Sequence, residues 1–226
     1  MRSVFRLWPG LLALILLIGI GVTDRWSFAN RDRIPTLSAV TLRGDEGTTV
    51  IQCGGEVLVV WPGRKADREP LERILKSRRI DRIHTLVVLQ GDGTGLAEEL
   101  EAERILTPEA TEDRPLTLGA AGGTLTLTEQ GCSLTLYHGD TSLLYCWGET
   151  APPFKGFDFI QCPAADPLPI ADSFPTHTVI CGSATAKQIR ELKARGTDCM
   201  CTEEGAVQLY LEEDALRLTP DGSRFP

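Results

Sequence analysis

The chain has 226 residues, 31 acidic side chains against 23 basic ones, a net charge of −8 and seven cysteines. At 42% apolar and 24% charged it has the composition of a folded globular protein, which excludes wholesale disorder. The acidity argues against general polyanion coating, and an odd cysteine count excludes a fully paired disulfide framework within one chain.

Arg2 and Arg6 precede an uncharged run over residues 7–23, long enough at about 1.5 Å per residue to reach roughly 25 Å. Residues 1–23 read as a membrane anchor or an uncleaved signal. Trp8 and Trp26 stand where interfacial aromatics sit, and Gly21-Val22-Thr23-Asp24 offers no A-x-A-like cleavage site. Arginines flank both ends, so orientation rests on the shortness of the N-terminal tail, which places the main domain outside the cytoplasm. Residues 24–36 read as a polar linker, residues 37–212 as one domain and residues 213–226 as a C-terminal tail. Because every acidic residue lies beyond the apolar run and only Arg2 and Arg6 lie before it, the rest of the chain carries about −10.

Short β-rich runs open the domain at residues 38–42, 48–53 and 56–60, with Gly54-Gly55 as a hairpin turn. Residues 70–79 place Leu71, Ile74 and Leu75 on one face of a helix, with Pro70 in its first turn. Residues 85–89 form an apolar run suited to a strand buried on both faces. A short helix over 96–102 and a strand near Ile105 follow. The middle is β-rich at 123–128, 132–138 and 142–147, separated by Gln130-Gly131 and Gly139-Asp140 turns. Strands at 157–162 and 178–181 precede a helix opened by the capping box Thr185-x-x-Gln188 and stopped by Gly196. Residues 199–202 and 206–211 complete the sheets around a Glu204-Gly205 turn. This order predicts an α/β protein of two packed sheets with helices outside.

The order of these elements and several short strings resemble the metallo-β-lactamase fold, and more narrowly the C-terminal domain of ComEC-type DNA-uptake proteins. The segments carrying the resemblance are Val40-Thr41-Leu42-Arg43-Gly44-Asp45-Glu46-Gly47-Thr48, Leu58-Val59-Val60-Trp61-Pro62-Gly63 and Arg79-Ile80-Asp81-Arg82-Ile83-His84. The strand Leu86-Val87-Val88-Leu89 follows, leading into Gln90-Gly91-Asp92-Gly93-Thr94-Gly95, and Asp158-Phe159-Ile160-Gln161-Cys162-Pro163-Ala164-Ala165-Asp166 comes later. The resemblance implies a four-layer αββα sandwich and, in active relatives, a metal-bound hydroxide held by imidazoles and carboxylates.

Those ligands are missing here. Gln90, Thr94 and Gly95 stand at ligand positions of the first motif, and Ala164-Ala165 replaces a later His-His pair. Asp92 and Glu149 are the only vestigial carboxylates, while His84, His138 and His177 fall outside every ligand position. The expectation is a catalytically inactive binding or structural module without a cofactor. It would sit in the membrane through its N-terminal helix, beside a protein partner of a DNA-uptake or envelope machine. One alternative is a metal-dependent hydrolase rearranged around Asp92 and Glu149. A second is a nucleic-acid or lipid binder using Arg68, Arg73, Lys76 and Arg79, a role the net charge does not support for nucleic acid.

Three further features have a plain reading and a sharper one. Gly91-x-Gly93-x-Gly95 reads as a filled loop before it reads as a phosphate cradle. Cys199-x-Cys201 places two thiols on one face of a strand. Most of the other cysteines fall in apolar runs and read as small core residues rather than as disulfides or a thiolate metal site. A nucleophilic pair of Cys162 and His177 would need an orienting group that the spacing does not supply.

Overall fold

The computed structural model describes residues 37–44, 47–91, 93–108, 112–129, 131–148, 156–162, 167–173, 176–212 and 215–221. The expected anchor and linker, Asp92, Glu149, Ala164 and Ala165 lie outside the described residues. No helix among the described residues is long and apolar enough to cross a membrane. Contacts divide the chain into residues 1–35 and 36–226, one residue from the expected start of the domain.

The domain is a mixed α/β fold of two seven-stranded sheets built by the same plan twice. In the first half, β1 (Leu37–Thr41), β2 (Thr49–Cys53) and β3 (Glu56–Trp61) form an antiparallel meander. The chain then passes through α1 (Arg68–Ser77) to β4 (Ile83–Val88), and through α2 (Thr94–Glu99) to β5 (Ala102–Leu106). Both of these crossovers join parallel strands. The second half repeats the plan with β6 (Glu112–Leu118), β7 (Ala121–Thr128), β8 (Gly131–His138) and β9 (Thr141–Gly148) antiparallel. Next come β10 (Phe159–Gln161), α3 (Pro167–Ser173), β11 (Thr178–Cys181), α4 (Ala186–Ala194) and β12 (Asp198–Cys201), the strands running parallel to β9. The chain returns to the first sheet as β13 (Ala206–Glu212), beside β1, and β14 (Ala215–Asp221).

Alternation along the strands produces the layers. In β1, Leu37 and Ala39 face the second sheet while Val40 faces outward. The inner core joins Leu37, Ile51, Leu58 and Val87 of the first sheet to Leu125, Leu134, Tyr145, Trp147 and Phe159 of the second. The outer face of the first sheet (Val40, Val59, Leu86, Val88) takes Leu71, Ile74 and Leu75 of α1 and Leu96 and Ala97 of α2. The outer face of the second (Leu144, Cys146, Ile160, Cys162, Val179) takes Ile170 of α3. The expected order of helix, sheet, sheet and helix is what this packing builds.

Three elements depart from expectation. Residues 215–221 pair with β13 along their whole length, so the expected tail over 213–226 contributes a strand. β6 and α3 also went unforeseen. β6 contains Pro115 and β14 contains Pro220, and each is the last strand of its sheet, where a missing N–H leaves no ladder bond broken. Elsewhere the shifts are small: α1 begins at Arg68 rather than residue 70, and α2 spans residues 94–99 rather than 96–102.

Candidate functional site

The parallel strands give the sandwich two unlike edges. Their carboxyl ends point one way, and side chains tie the two sheets together there. Thr41 Oγ1 donates to Gln161 Oε1 at 2.6 Å, and Gln161 Nε2 donates to Thr49 Oγ1 at 3.1 Å. Thr49 Oγ1 donates in turn to the Gly47 carbonyl at 2.6 Å, which also accepts the indole N–H of Trp147 at 2.9 Å. Thr202 Oγ1 donates to the Gly44 carbonyl at 2.7 Å. Thr41, Thr49, Gln161, Trp147 and Thr202 are all buried, and all are uncharged. The seam is therefore a closed, neutral hydrogen-bonded joint between the sheets, the arrangement that buried polar groups require.

This is the edge onto which the first-motif positions fall. Gln90 follows β4 and is exposed, as are Thr94 and Gly95. An amide, a hydroxyl and a glycine supply no imidazole or thiolate, so these residues do not fit the zinc site that the family resemblance implies. The three histidines are at the opposite edge. His84 stands at the start of β4, its Nδ1 accepting from the Val57 N–H at 3.0 Å. His138 ends β8 opposite Thr141, the first residue of β9. His177 immediately precedes β11. A strand of six residues separates the edges by roughly 17 Å at about 3.3 Å per residue. The Cys162 and His177 pair is also excluded, because Cys162 follows β10 in line with Cys181, four register positions or about 13 Å from His177.

The glycine loop has a packing reason. A Cβ on Gly93 would sit 2.3 Å from Val88 Cγ2, so glycine lets the loop close onto the end of β4. The helix it opens, α2, has only six residues.

The basic positions of α1 are largely paired with acids. Arg68 bonds Glu99 and lies 3.7 Å from Glu72, Arg73 meets Glu69 at 2.8 Å, and Lys76 meets Glu72 at 3.5 Å. Arg79 ends the helix with φ +53°, its N–H donating to the Lys76 carbonyl at 3.1 Å. The nearby Arg78 is drawn inward instead, 5.9 Å above the Tyr210 ring, and burial lowers its pKa. Spacing alone showed the positive charges, whereas the structure shows their counterions.

At the amino edge a cleft of about 490 Å³ is lined by Ser142, Asp158, His177, Arg195 and Thr197 among others. Two of its charged groups, Asp158 and Arg195, are already engaged. Asp158 Oδ2 accepts from the Ser142 N–H and hydroxyl, each at 2.8 Å, which holds the carboxyl below its ordinary range. Arg195 is bonded to Asp172 and Glu191. Ser142 donates directly to the carboxylate, and among the described residues no imidazole stands between the two as a nucleophilic triad requires.

The cysteines form a pattern that the sequence concealed. β10 aligns Gln161 with Tyr145 on β9 and with Ile180 on β11, so Cys162 follows in line between Cys146 and Cys181. Cys181 in turn faces Cys201 on β12. Four thiols thus cross the carboxyl end of the second sheet in one row. Within it, Cys181 Sγ lies 3.7 Å from Cys199 Sγ and 3.9 Å from Cys201 Sγ. The three sulfurs all fall within 4.8 Å of one another. The cysteine pair at 199 and 201 was visible as an i, i+2 spacing; the third member required the parallel register of β11 and β12.

No protein-family model matches this sequence, and no curated protein is similar to it. Solved structures are similar in fold. The metallo-beta-lactamase fold protein YhfI from Bacillus subtilis matches over 76% of this chain and 99% of its own, at 13% identity and a TM-score of 0.41. A Thermotoga maritima protein assigned to the zinc-dependent hydrolases of the metallo-beta-lactamase superfamily matches over 64% of this chain and 74% of its own, at 10% identity and a TM-score of 0.41. A diphosphatase of the PhnP family matches over 80% of this chain and 100% of its own, at 12% identity and a TM-score of 0.49.

Proposed function

We propose that this chain is a membrane-anchored, catalytically inactive module on a metallo-β-lactamase-like αββα scaffold, related to the ComEC-type domains and serving a binding or structural role at the cell envelope. The observation that supports it is the carboxyl edge. A hydrolase of this kind needs imidazoles and carboxylates converging on a metal, whereas here a neutral Thr41–Gln161–Thr49 joint ties the sheets and every histidine lies at the other edge. The pairing of Arg68, Arg73 and Lys76 with glutamates leaves the nucleic-acid and lipid alternative without a structural argument.

The test assays the full chain in detergent for phosphodiester, diphosphate and β-lactam hydrolysis with added Zn²⁺ or Mn²⁺. The expected result is no turnover above that of the free metal. Turnover that disappears in Asp92→Asn or Glu149→Gln would overturn the proposal and install the rearranged hydrolase. Removing residues 1–23 is expected to move the chain from the membrane fraction to the soluble one, and retention in the membrane would refute the anchor.

A further inference from the structure

We propose that Cys181, Cys199 and Cys201 form a binding site for a thiophilic d10 cation, Zn²⁺ or Cu⁺, at the free edge of the second sheet. The site is separate from the one the fold resemblance implies, and it stands whether or not the module has catalytic activity. The geometry is that of one coordination sphere. With metal–sulfur bonds of about 2.3 Å, two thiolates of a tetrahedral site lie roughly 3.8 Å apart. The structure sets Cys181 Sγ at 3.7 Å from Cys199 Sγ and 3.9 Å from Cys201 Sγ, with all three sulfurs within 4.8 Å.

The backbone fixes this grouping. Cys199 and Cys201 are two apart on β12 and therefore share a face, and Cys181 stands beside Cys201 in the parallel ladder. The strand end is pinned by the Thr202 N–H, which donates to the Cys181 carbonyl at 2.9 Å. A site on two paired strands is better ordered than one on loops. Cys181 and Cys201 are buried and Cys199 is partly exposed on the sheet's edge strand, so an ion has a route in.

Three thiols also distinguish this site from a structural disulfide. One disulfide would consume two of them and leave the third pressed against its sulfurs, whereas one soft cation engages all three. Soft thiolates select Cu⁺ and Zn²⁺ over harder ions. Binding forms three metal–sulfur bonds and releases the thiol protons to solvent, with no change in oxidation state. The fourth position is left for water when the ion is Zn²⁺, and a trigonal Cu⁺ needs none.

The test uses the full chain in detergent, reduced and free of oxygen, titrated with Cd²⁺ as a spectroscopic probe and then with Zn²⁺ or Cu⁺ as competitors. One equivalent of Cd²⁺ with a thiolate charge-transfer band is expected, displaced by one or both competitors, and the displacing ion identifies the cargo. Cys199→Ser and Cys201→Ser should each weaken binding on the order of 100-fold or more, since even indirect partners of a ligand are worth 10–100-fold. Cys53→Ala, at the end of β2, should leave it unchanged. Should a serine variant lose its fold, metal protection of Cys181, Cys199 and Cys201 from alkylation in the parent chain gives the same answer. Binding that survives both serine substitutions, absence of protection, or a disulfide between any two of the three in protein isolated under non-reducing conditions would overturn the proposal.

Discussion

The two edges of the sandwich are built from opposite materials. The carboxyl edge is closed by threonine, glutamine and tryptophan, which cannot change charge, and has its thiols gathered in a row beside the joint. The amino edge holds the three histidines, the Asp158 cleft and the helix ends. A functional edge in this architecture would be expected to collect titratable side chains and leave space among them. Here the three histidines and Asp158 sit at the amino edge, while among the described residues the carboxyl edge joins its sheets through neutral groups and buries one carboxylate, Asp67, which accepts from the Thr48 hydroxyl and lies 3.9 Å from Arg64. The consequence is mechanical as well as chemical: the carboxyl joint carries inter-sheet stability that an open active site could not.

The sharpest way to break this contrast is to remove the joint's largest member. Trp147 is 1% exposed, stacks 5.7 Å from Tyr145 and donates to the Gly47 carbonyl, so Trp147→Ala should cost about 3–5 kcal/mol in chemical denaturation. Gln161→Leu should cost about 1–3 kcal/mol, because it deprives Thr41 of its acceptor and Thr49 of a donor inside the core. A loss below about 0.5 kcal/mol for Gln161→Leu would mean that the seam holds nothing together.

Tyr145 makes the contrast finer. Its ring is wholly buried between Trp147 and Phe159, yet its hydroxyl has no partner among the described residues, and burial pushes its pKa upward. Tyr145→Phe should therefore raise stability by about 1 kcal/mol, as expected when an unpaired buried hydroxyl is removed. A loss of stability would reveal a polar partner for that hydroxyl at the joint.

At the amino edge two helix ends use one motif with different residues. After α4, the Gly196 N–H donates to the Lys193 carbonyl and the Thr197 N–H to the Leu192 carbonyl, with Gly196 at φ +81°. After α1, Arg79 takes the same place, with Ile80 N–H donating to Leu75. Both are Schellman ends, and only glycine occupies the left-handed position freely. Arg79→Gly should stabilise the chain by about 1 kcal/mol and Gly196→Ala should destabilise it by about as much, read as paired shifts in denaturation midpoint. Equal effects of the same sign would show that the two ends are not equivalent.

What the sequence disclosed follows the same division. Elements whose own residues state their period were legible: the capping box at Thr185 and Gln188, the stop at Gly196, and the Leu71, Ile74 and Leu75 face of α1. Strands β6 and β14 were not, because Pro115 and Pro220 signal a break locally and are tolerated only through their place at a sheet's edge. That Gln90, Thr94 and Gly95 bring no imidazole or thiolate could be read directly. The thiol cluster could not, since its closeness comes from two parallel strands with α4 between them in the chain. Nor could the neutral joint, whose members come from residues 41 to 161 and meet only when both sheets exist.

The smallest effect separates the edges by pH. Asp158 accepts two hydrogen bonds from Ser142, and these together with the nearby His177 depress its pKa in the folded state despite an opposing effect of burial. A carboxyl depressed on folding contributes stability that is present above its unfolded pKa, about 3.9, and is lost as pH falls through the folded value. The difference in denaturation midpoint between the parent and Asp158→Asn should therefore stay level from pH 7 to about 5 and shrink below about 4. The group is partly exposed, so solvent screening keeps the whole effect small. No ionisable side chain belongs to the Thr41–Gln161–Thr49 joint, so the cost of Gln161→Leu should be the same at both ends of that range. An acid-sensitive Gln161→Leu cost together with a flat Asp158→Asn cost would place the titrating group at the joint rather than in the Asp158 cleft.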